Sequence, residues 1–423
     1  MNIRFYNAQI LSMNGTMDLL QGEVWVEGNQ ITYVGSGKPV HPVWDREINA
    51  EGNLILPGFK DAHTHSAMTF LRSYADDLPL QEWLTGQIFP MEARLQPEHI
   101  YWLSILAIME YLTSGITSCF DMYLNPEMMA KASIDCGFRT VLVSGLNNFT
   151  SSLSELEENF KKYNHLHELI RYHLGFHAEY TCSEELLKGV AGLAGQYKAP
   201  VFTHLSETKR EVDECLQRHR KTPAAYLDSL GMFEYGGGGY HCVWLTEEEM
   251  ELFYQKSLTA VTNPASNLKL ASGIADTPTL LRKGIPMAIG TDGPASNNCL
   301  DMFREMFLVT GLGKLHAHDA SAVPAEEVLK MAVTGGARAM GLHDCDCLAP
   351  GKLADLILID LKQPNMQPLN HPVKNLVYSG SKQNVKLTMV NGRILYENQK
   401  FFIGVDAEEV YQRANAIIQE MKH

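Results

Sequence analysis

Residues 54–66 read LILPGFKDAHTHS, and this stretch decides the fold. An apolar run ends at Pro57-Gly58, and two histidines, His63 and His65, then follow at positions i and i+2. Because side chains two residues apart point to the same face of an extended strand, both imidazoles can meet at its carboxyl end. Neutral imidazole is a good ligand for zinc and similar divalent metals. The pair alone also fits two hydrogen-bonded histidines near a turn, so its interpretation depends on ligands elsewhere in the chain.

Composition and net charge argue against several classes of binding partner. The 423 residues are 45% hydrophobic and 20% charged, as in ordinary globular proteins. The formal net charge of −14 disfavours nucleic acids and anionic membrane surfaces as partners, because both attract basic patches. No apolar run is long enough to predict a transmembrane helix or a signal peptide, and the eight cysteines are irregularly spaced. We expect a cytoplasmic protein with reduced thiols and a small-molecule partner; a homo-oligomer is a further expectation.

From residue 54 onward, short apolar runs alternate with amphipathic helical stretches, which is the pattern of βα units around a parallel sheet. The strand candidates are 54–62, 116–121, 140–144, 172–177, 200–204, 239–243, 258–262 and 286–290. The intervening helical stretches include 97–113, 184–196, 209–216 and 276–283. This repetition over about 250 residues predicts a (β/α)8 TIM barrel. A doubly wound sheet is disfavoured because no G-x-G-x-x-G turn follows the first strand.

Both ends of the chain have a different pattern, with short alternating strands and turns. The strand candidates there are 3–11, 22–27, 30–34, 47–49, 355–360, 375–378, 385–390 and 393–396. A predicted helix at 325–340 precedes the C-terminal group, and an amphipathic helix at 406–422 ends the chain. We expect 1–55 and 345–423 to form one small β-sandwich beside a catalytic barrel of 56–344.

The active site of a (β/α)8 barrel lies at the carboxyl ends of its strands, so polar residues there are the functional candidates. These residues are His63, His65, His177, His204, His241 and Asp292. Three imidazoles and one carboxylate, from His63, His65, His204 and Asp292, would make a ligand shell for one divalent metal. Zn²⁺ is a divalent ion that such ligands bind well. A second metal is disfavoured because 172–180 lacks the lysine that a carboxylated bridging ligand requires.

Such a metal lowers the pKa of a bound water toward 7, but the reaction still needs groups that move protons. Glu207 lies three residues past His204, where its loop could aim it at a substrate, and it is the candidate acid. His241 sits one strand further on and is the candidate base for the water. Asp292 could share the proton as well as bind the metal.

With these residues assembled, the chain resembles the amidohydrolase superfamily, and within it the branch of 5′-methylthioadenosine/S-adenosylhomocysteine deaminases and triazine chlorohydrolases. The matching segments, spread over nearly the whole chain, are PGFKDAHTHSAMTFLR (57–72), LQEWL (80–84), HLSET (204–208), GYHCVWL (239–245), NPASNLKLASGIA (263–275), GTDGPASNNCLDMF (290–303) and GKLADLILIDL (351–361). The resemblance implies a barrel with a β-sandwich from both termini and one zinc or iron. It also implies that Glu207 protonates a ring nitrogen, that His241 and Asp292 manage the water, and that ammonia leaves.

The resemblance extends to substrate contacts. His177 matches a substrate-contacting position, and Glu92 matches a position that binds ribose hydroxyls, although an exposed carboxylate at a helix start would also fit Glu92. Trp83 is expected in the core or in the pocket wall. The Ser-Asn segments at 265–267 and 296–298 are expected to cap helices.

One departure concerns residues 144–158, SGLNNFTSSLSELEE. Relatives that accept S-adenosylhomocysteine resemble each other in two arginines here, and Ser144 and Glu155 take those places. Because a carboxylate without a cationic partner is poorly held, a neutral adenosine derivative is favoured: 5′-methylthioadenosine, 5′-deoxyadenosine or adenosine. The alternatives are a deaminase or chlorohydrolase of another heterocycle, of triazine, guanine, cytosine or pterin type, and a non-catalytic scaffold. A scaffold would not need the candidate ligands, acid and base together.

Overall fold

Two sheets organise the chain, of which a computed structural model describes residues 1–37 and 43–422. The strands in chain order are β1 (Asn2–Leu11), β2 (Leu19–Glu27), β3 (Gln30–Gly35), β4 (Arg46–Asn49), β5 (Leu54–Pro57), β6 (Phe59–Thr64), β7 (Ile116–Asp121), β8 (Arg139–Val143), β9 (Ile170–Ala178), β10 (Val201–Leu205), β11 (Gly237–His241), β12 (Thr259–Thr262), β13 (Met287–Ile289), β14 (Leu356–Ile359), β15 (Val385–Val390), β16 (Arg393–Glu397) and β17 (Lys400–Phe401).

Helices connect these strands and cover the sheets. They are α1 (Leu80–Trp83), α2 (Phe89–Glu92), α3 (Pro97–Thr113), α4 (Pro126–Cys136), α5 (Leu153–Tyr163), α6 (Glu184–Tyr197), α7 (Lys209–His219), α8 (Pro223–Ser229), α9 (Glu247–Gln255), α10 (Pro264–Lys269), α11 (Thr277–Arg282), α12 (Met302–Ala317), α13 (Ala325–Lys330), α14 (Gly336–Ala339), α15 (Pro372–Tyr378) and α16 (Ala407–Lys422). Within the described ranges, none of them is both long and apolar enough to cross a membrane.

Strands β6 to β13 form the predicted barrel. Each strand pairs in parallel with the next one along the chain. Between the last and first strands, the amide of Asp292 donates to the carbonyl of His63 at 2.9 Å. Buried Phe120, Phe202 and Tyr240 fill the interior. The (β/α)8 barrel expected from the sequence is therefore confirmed, with its first and last strand ends held together.

The second sheet is built from both ends of the chain, as expected. Its strand order is β17-β16-β15-β14-β5-β1-β2-β3, with β4 paired to β1. The strand predicted at 54–62 is in fact two strands, β5 in this sheet and β6 in the barrel. Pro57 cannot donate a ladder hydrogen bond, and a Cβ on Gly58 would lie 2.0 Å from Thr117 Cγ2, so the chain changes sheets at this close contact.

Two local predictions near the C-terminus need correction. The strand predicted at 375–378 is wrong, because those residues lie in α15. Pro372 takes the first helical position, and buried Val373, Leu376 and Val377 have helical spacing. The helix predicted at 325–340 is interrupted by a π-helical turn at Met331–Gly335, where a Cβ on Gly335 would lie 2.1 Å from the Met287 carbonyl oxygen.

A buried ion pair joins the barrel to the second sheet. Arg139, at the start of β8, donates to both carboxylate oxygens of Asp355 at 2.7 and 3.0 Å, and both side chains are almost fully buried. Asp355 also accepts from the amide of Asn391 at 2.7 Å. Since Asp355 immediately precedes β14, this contact fixes the second sheet against the barrel.

Removing one partner of this pair should destabilise the protein strongly. Arg139→Ala leaves the Asp355 carboxylate buried without its cation, which typically costs about 3–5 kcal/mol of unfolding free energy. The exposed pair Lys131–Asp135 provides the control, since Lys131→Ala should change stability by less than about 1 kcal/mol. Denaturant unfolding measures both values, and equal losses from the two variants would contradict this account of the ion pair.

Candidate active site

The six candidate residues for metal and proton chemistry lie together at the carboxyl end of the barrel. His63 and His65 come from the end of β6, His204 from β10, His241 from the last residue of β11, and Asp292 from the loop after β13. Glu207 follows β10 by two residues. The candidate ligand atoms of His63, His65 and Asp292 all lie within 4.8 Å of one another, as do those of His63, His204 and His241.

Hydrogen bonds orient three of the imidazoles. His204 Nδ1 lies 2.7 Å from the carbonyl oxygen of His177, and His241 Nδ1 lies 2.8 Å from Asn267 Oδ1. His65 Nδ1 contacts the carbonyl of Met122. Because each Nδ1 donates to an oxygen, each Nε2 keeps its lone pair for a metal or a proton.

His63 gives the clearest indication of a metal ligand. It is fully buried, and neither of its ring nitrogens has a hydrogen-bond partner within the described residues. Its ring stacks on Tyr240 at a centroid distance of 3.8 Å, which fixes the ring plane. A buried polar group without a partner is costly, and a cation would satisfy it. The donor set therefore fits a divalent metal, for which His63, His65 and Asp292, or His63, His204 and His241, lie close enough together to act as ligands.

Burial lowers the pKa of His63 and His204 well below the ordinary value, so both rings are in the neutral, metal-binding form. For His65, burial also lowers the pKa, but the hydrogen bond and charge of Asp292 outweigh it and raise the pKa to about 9. His65 Nε2 lies 3.2 Å from Asp292 Oδ1. A cation bound between these two groups would displace the proton they share.

Asp292 is held by two serines from equivalent short segments. Pro-Ala-Ser-Asn occurs at 264–267 and again at 294–297. Ser266 Oγ and Ser296 Oγ both donate to Asp292 Oδ2, at 2.5 and 2.8 Å. The expectation that these segments cap helices is wrong for the two serines and for Asn267, because their side chains contact Asp292 and His241. The repeated Pro-Ala-Ser-Asn was the sequence signal that could have identified them.

The Glu207 carboxyl lies close to His241 in this cluster of candidate residues. Its Oε2 is 3.8 Å from His241 Nε2, and its Oε1 accepts from Ser272 Oγ at 3.2 Å. Burial is the main cause that raises the pKa of the Glu207 carboxyl. A raised pKa favours the protonated form of a carboxyl, which is the form that a general acid uses. Ser272 was not singled out by the sequence.

The backbone at these strand ends is strained. Ser206, His241 and Asp292 have φ values of 50°, 71° and 60°, in the left-handed region that side chains other than glycine disfavour. Asp61 supports the last of them, because its carboxylate accepts from the amide and hydroxyl of Thr291 at 2.8 and 2.6 Å. Strain of this kind persists only where surrounding contacts determine the conformation.

Of the candidate substrate contacts, His177 and Glu92 lie near the histidine cluster. The His177 ring lies 4.9 Å from the His204 ring, and burial lowers the pKa of His177 to about 4, which keeps it neutral. Glu92 is half-buried near Tyr123, and burial raises the pKa of its carboxyl. The Tyr123 ring lies 6.4 Å from that of His65. Trp83 is buried in the main hydrophobic core.

The loop after β8 contains no cation at the two positions singled out in the sequence. Ser144 is buried, and its hydroxyl accepts from the amide of Leu146 at 3.1 Å. Glu155 lies exposed in the first turn of α5, and its carboxylate accepts from Ser151 Oγ at 3.1 Å. Neither side chain carries a positive charge that could form an ion pair with a substrate carboxylate.

The comparisons with known proteins agree with this geometry. A model of the amidohydrolase family matches residues 54–395, most of the chain. The chain belongs to the amidohydrolase family. It is 39% identical, over 99% of its length and 100% of the relative, to a 5-methylthioadenosine/S-adenosylhomocysteine deaminase from Thermoanaerobacter pseudethanolicus. It is 37% identical, over 98% of its length and 97% of the relative, to a 5′-deoxyadenosine deaminase from Methanothermobacter thermautotrophicus.

A solved structure resembles the whole amidohydrolase chain. It is an adenosine deaminase from Xanthomonas campestris with bound zinc, 31% identical in sequence. The alignment covers 100% of this chain and 98% of that one, with a TM-score of 0.94.

The two serines on Asp292 should influence metal affinity in this amidohydrolase. The double variant Ser266→Ala/Ser296→Ala frees Asp292 Oδ2, and loss of such supporting contacts typically lowers metal affinity or activity about 10–100-fold. Ser272→Ala, which removes a contact to Glu207 instead, is the control and should leave affinity unchanged. Competition with a chelator measures zinc affinity, and equal affinities in the wild type and the double variant would contradict the supporting role of the two serines.

Proposed function

We propose that the protein is a metal-dependent deaminase that releases ammonia from an aminopurine nucleoside with an uncharged 5′ substituent. The observation that carries the proposal is the buried Glu207 carboxyl, which faces His241 beside the His63–His65–His204–Asp292 cluster. An amino group on a purine is a poor leaving group unless the ring and the amine gain protons, and Glu207 is placed to supply the proton of the ring nitrogen. The names of the relatives at 37–39% identity support the same substrate class.

His63, His65, His204 and Asp292 would hold one metal. Zn²⁺ is the proposed ion and Fe²⁺ the alternative, because three imidazoles and a carboxylate suit both. When bound, the metal would lower the pKa of a water molecule and so supply the nucleophile. We also propose a cytoplasmic homo-oligomer, in line with the sequence-based expectation.

The residues around the cluster divide the proton transfers between them. His241 Nε2 lies 3.8 Å from Glu207 Oε2 and 3.9 Å from Asp292 Oδ2, so it can accept a proton from water and relay it to either carboxylate. Asn267 holds the opposite ring nitrogen and fixes the tautomer. Glu207 donates to the purine ring nitrogen, and the amino group leaves as ammonia after it gains the water-derived proton.

The residues proposed to contact the substrate support a preference for an uncharged 5′ substituent. Glu92 and His177 are the proposed contacts for the nucleoside, with Glu92 on the ribose hydroxyls, and Trp83 supports the wall from the core. At Ser144 and Glu155 the loop after β8 offers a hydroxyl and a carboxylate. A substrate carboxylate would meet no cation at these positions and would lie near a negative charge at Glu155.

Replacement of the proposed acid should separate metal binding from turnover. Glu207→Gln keeps the size of the side chain but cannot donate a carboxyl proton, so kcat should fall about 10²–10⁴-fold. Metal content should equal that of the wild type, because Glu207 is not among the proposed ligands. Ammonia release from 5′-methylthioadenosine, 5′-deoxyadenosine and adenosine measures the effect. A fully active variant would refute the acid assignment.

Substrate selectivity can be tested on the same loop. We expect kcat/KM for S-adenosylhomocysteine to be at least about 10-fold lower than for 5′-methylthioadenosine, since a charged hydrogen bond contributes roughly 1.5–3 kcal/mol. Glu155→Arg should narrow that ratio. Glu158→Arg, the same charge change on the same helix, should leave it unchanged. Equal use of both substrates by the wild type would overturn the selectivity proposal and leave the deaminase proposal standing.

A further inference from the structure

Helices α7 and α9, in neighbouring βα units, begin with the same sequence pattern, but the glutamate of that pattern makes different contacts in the two helices. Helices α7 and α9 both begin after a threonine, Thr208 or Thr246, and both have a buried glutamate at the third helical position, Glu211 or Glu249. Each threonine hydroxyl accepts from the amide of that glutamate at 3.2 Å. The sequence at these two starts therefore predicts the same capping arrangement.

At α9 the glutamate caps the helix to which it belongs. Glu249 Oε2 accepts from the amide of Thr246, the residue that caps α9, at 2.9 Å. Glu249 Oε1 accepts from the amide of Ala224 at 2.9 Å, which ties α9 to α8. This is an ordinary capping box with one added contact, and its role is structural.

At α7 the carboxylate reaches further back, into the loop that carries the proposed acid. Glu211 Oε1 accepts from the amide of Ser206 at 2.7 Å, and Oε2 accepts from the amide of Glu207 at 2.8 Å. Ser206 has a φ of 50°, so the segment is held in a disfavoured conformation. Two charge-assisted hydrogen bonds from successive amides fix this backbone more firmly than a single cap could.

Glu211 accepts these contacts in an unfavourable electrostatic environment. It is 5% exposed, the Glu207 carboxyl lies close enough to raise its pKa through charge repulsion, and Tyr180 and Cys242 lie close enough to interact with it. In the described part of the chain it forms no salt bridge. Burial and Glu207 raise its pKa to about 7. A buried carboxylate without a cation is costly, and the backbone amides of Ser206, Glu207 and Thr208 are the polar groups that offset this cost.

We propose that Glu211 is a positioning residue for the reaction, because it fixes the backbone of Ser206 and Glu207 and thereby aims the Glu207 carboxyl at the substrate. This inference rests on the proposed function. Glu207 is then held at two points, its amide by Glu211 and its Oε1 by Ser272. Displacement by about 1 Å at a reacting group can cost about 10²-fold in rate, so such a restraint is consequential.

The test compares Glu211→Gln with Glu249→Gln at pH 8, above the pKa of Glu211. The side-chain nitrogen that Glu211→Gln introduces cannot accept a hydrogen bond, so one of the two contacts to the backbone amides is lost. We expect kcat for 5′-methylthioadenosine to fall at least about 10-fold with KM changed less than about 3-fold, the pattern of a lost transition-state interaction. Glu249→Gln should lower Tm without separating kcat from KM. Metal content should match the wild type in both.

Hydrogen exchange supplies a readout that does not depend on activity. Amides in the peptide 201–209 should exchange faster in Glu211→Gln and at the wild-type rate in Glu249→Gln.

If Glu211→Gln fails to fold, Glu211→Asp replaces it, because the shorter carboxylate reaches only one of the two amides and should give the same kinetic pattern. Unchanged kcat and exchange, or the same kinetic pattern in both helices, would overturn the inference. A wild type inactive on every nucleoside would refute the proposed function. The hydrogen-exchange measurement would still show whether Glu211 holds the loop in place.

Discussion

The hydrogen bond from the amide of Asp292 to the carbonyl of His63 joins the last strand of the barrel to the first. The candidate metal site depends on this closure, because its ligands come from strands far apart in the chain. Two histidines from β6, one from β10 and one carboxylate after β13 can share an ion only if the ring of strands is complete. Metal affinity is thus a property of the whole barrel, and a change that loosens the join between β13 and β6 would weaken it.

Much of this arrangement could be predicted from the sequence, for a physical reason. Parallel strands of a barrel end on one face, so His63, His204 and Asp292 could be placed together from apolar runs alone. The division at Pro57-Gly58 was not predicted, because the two strands follow each other directly and their assignment to different sheets depends on contacts such as that between Gly58 and Thr117. At 375–378 a short apolar run fitted strand and helix alike, and the preceding Pro372 was the signal that favoured a helix.

The contacts that orient the site were harder to foresee. Ser266 and Ser296 have the composition of helix caps, and only their three-dimensional placement brings both hydroxyls to Asp292 Oδ2. Ser272 contacts Glu207 across 65 residues of sequence. Pattern-based analysis identifies residues by spacing within one element, whereas these contacts join different loops. The side chains that would carry the chemistry were therefore predicted more readily than those that hold them in place.

The left-handed backbone at Ser206, His241 and Asp292 limits which substitutions this protein can accept during evolution. Each such residue typically costs about 1–3 kcal/mol of folding free energy, which the barrel core must offset. Natural domains keep only a small margin above the stability they need. Because three strained strand ends lower the free energy of unfolding of the barrel, it can tolerate fewer destabilising substitutions elsewhere. New substrate preferences should therefore arise more easily in an exposed segment such as 148–155, which leads into α5, than at the strained strand ends, where fewer substitutions can be tolerated.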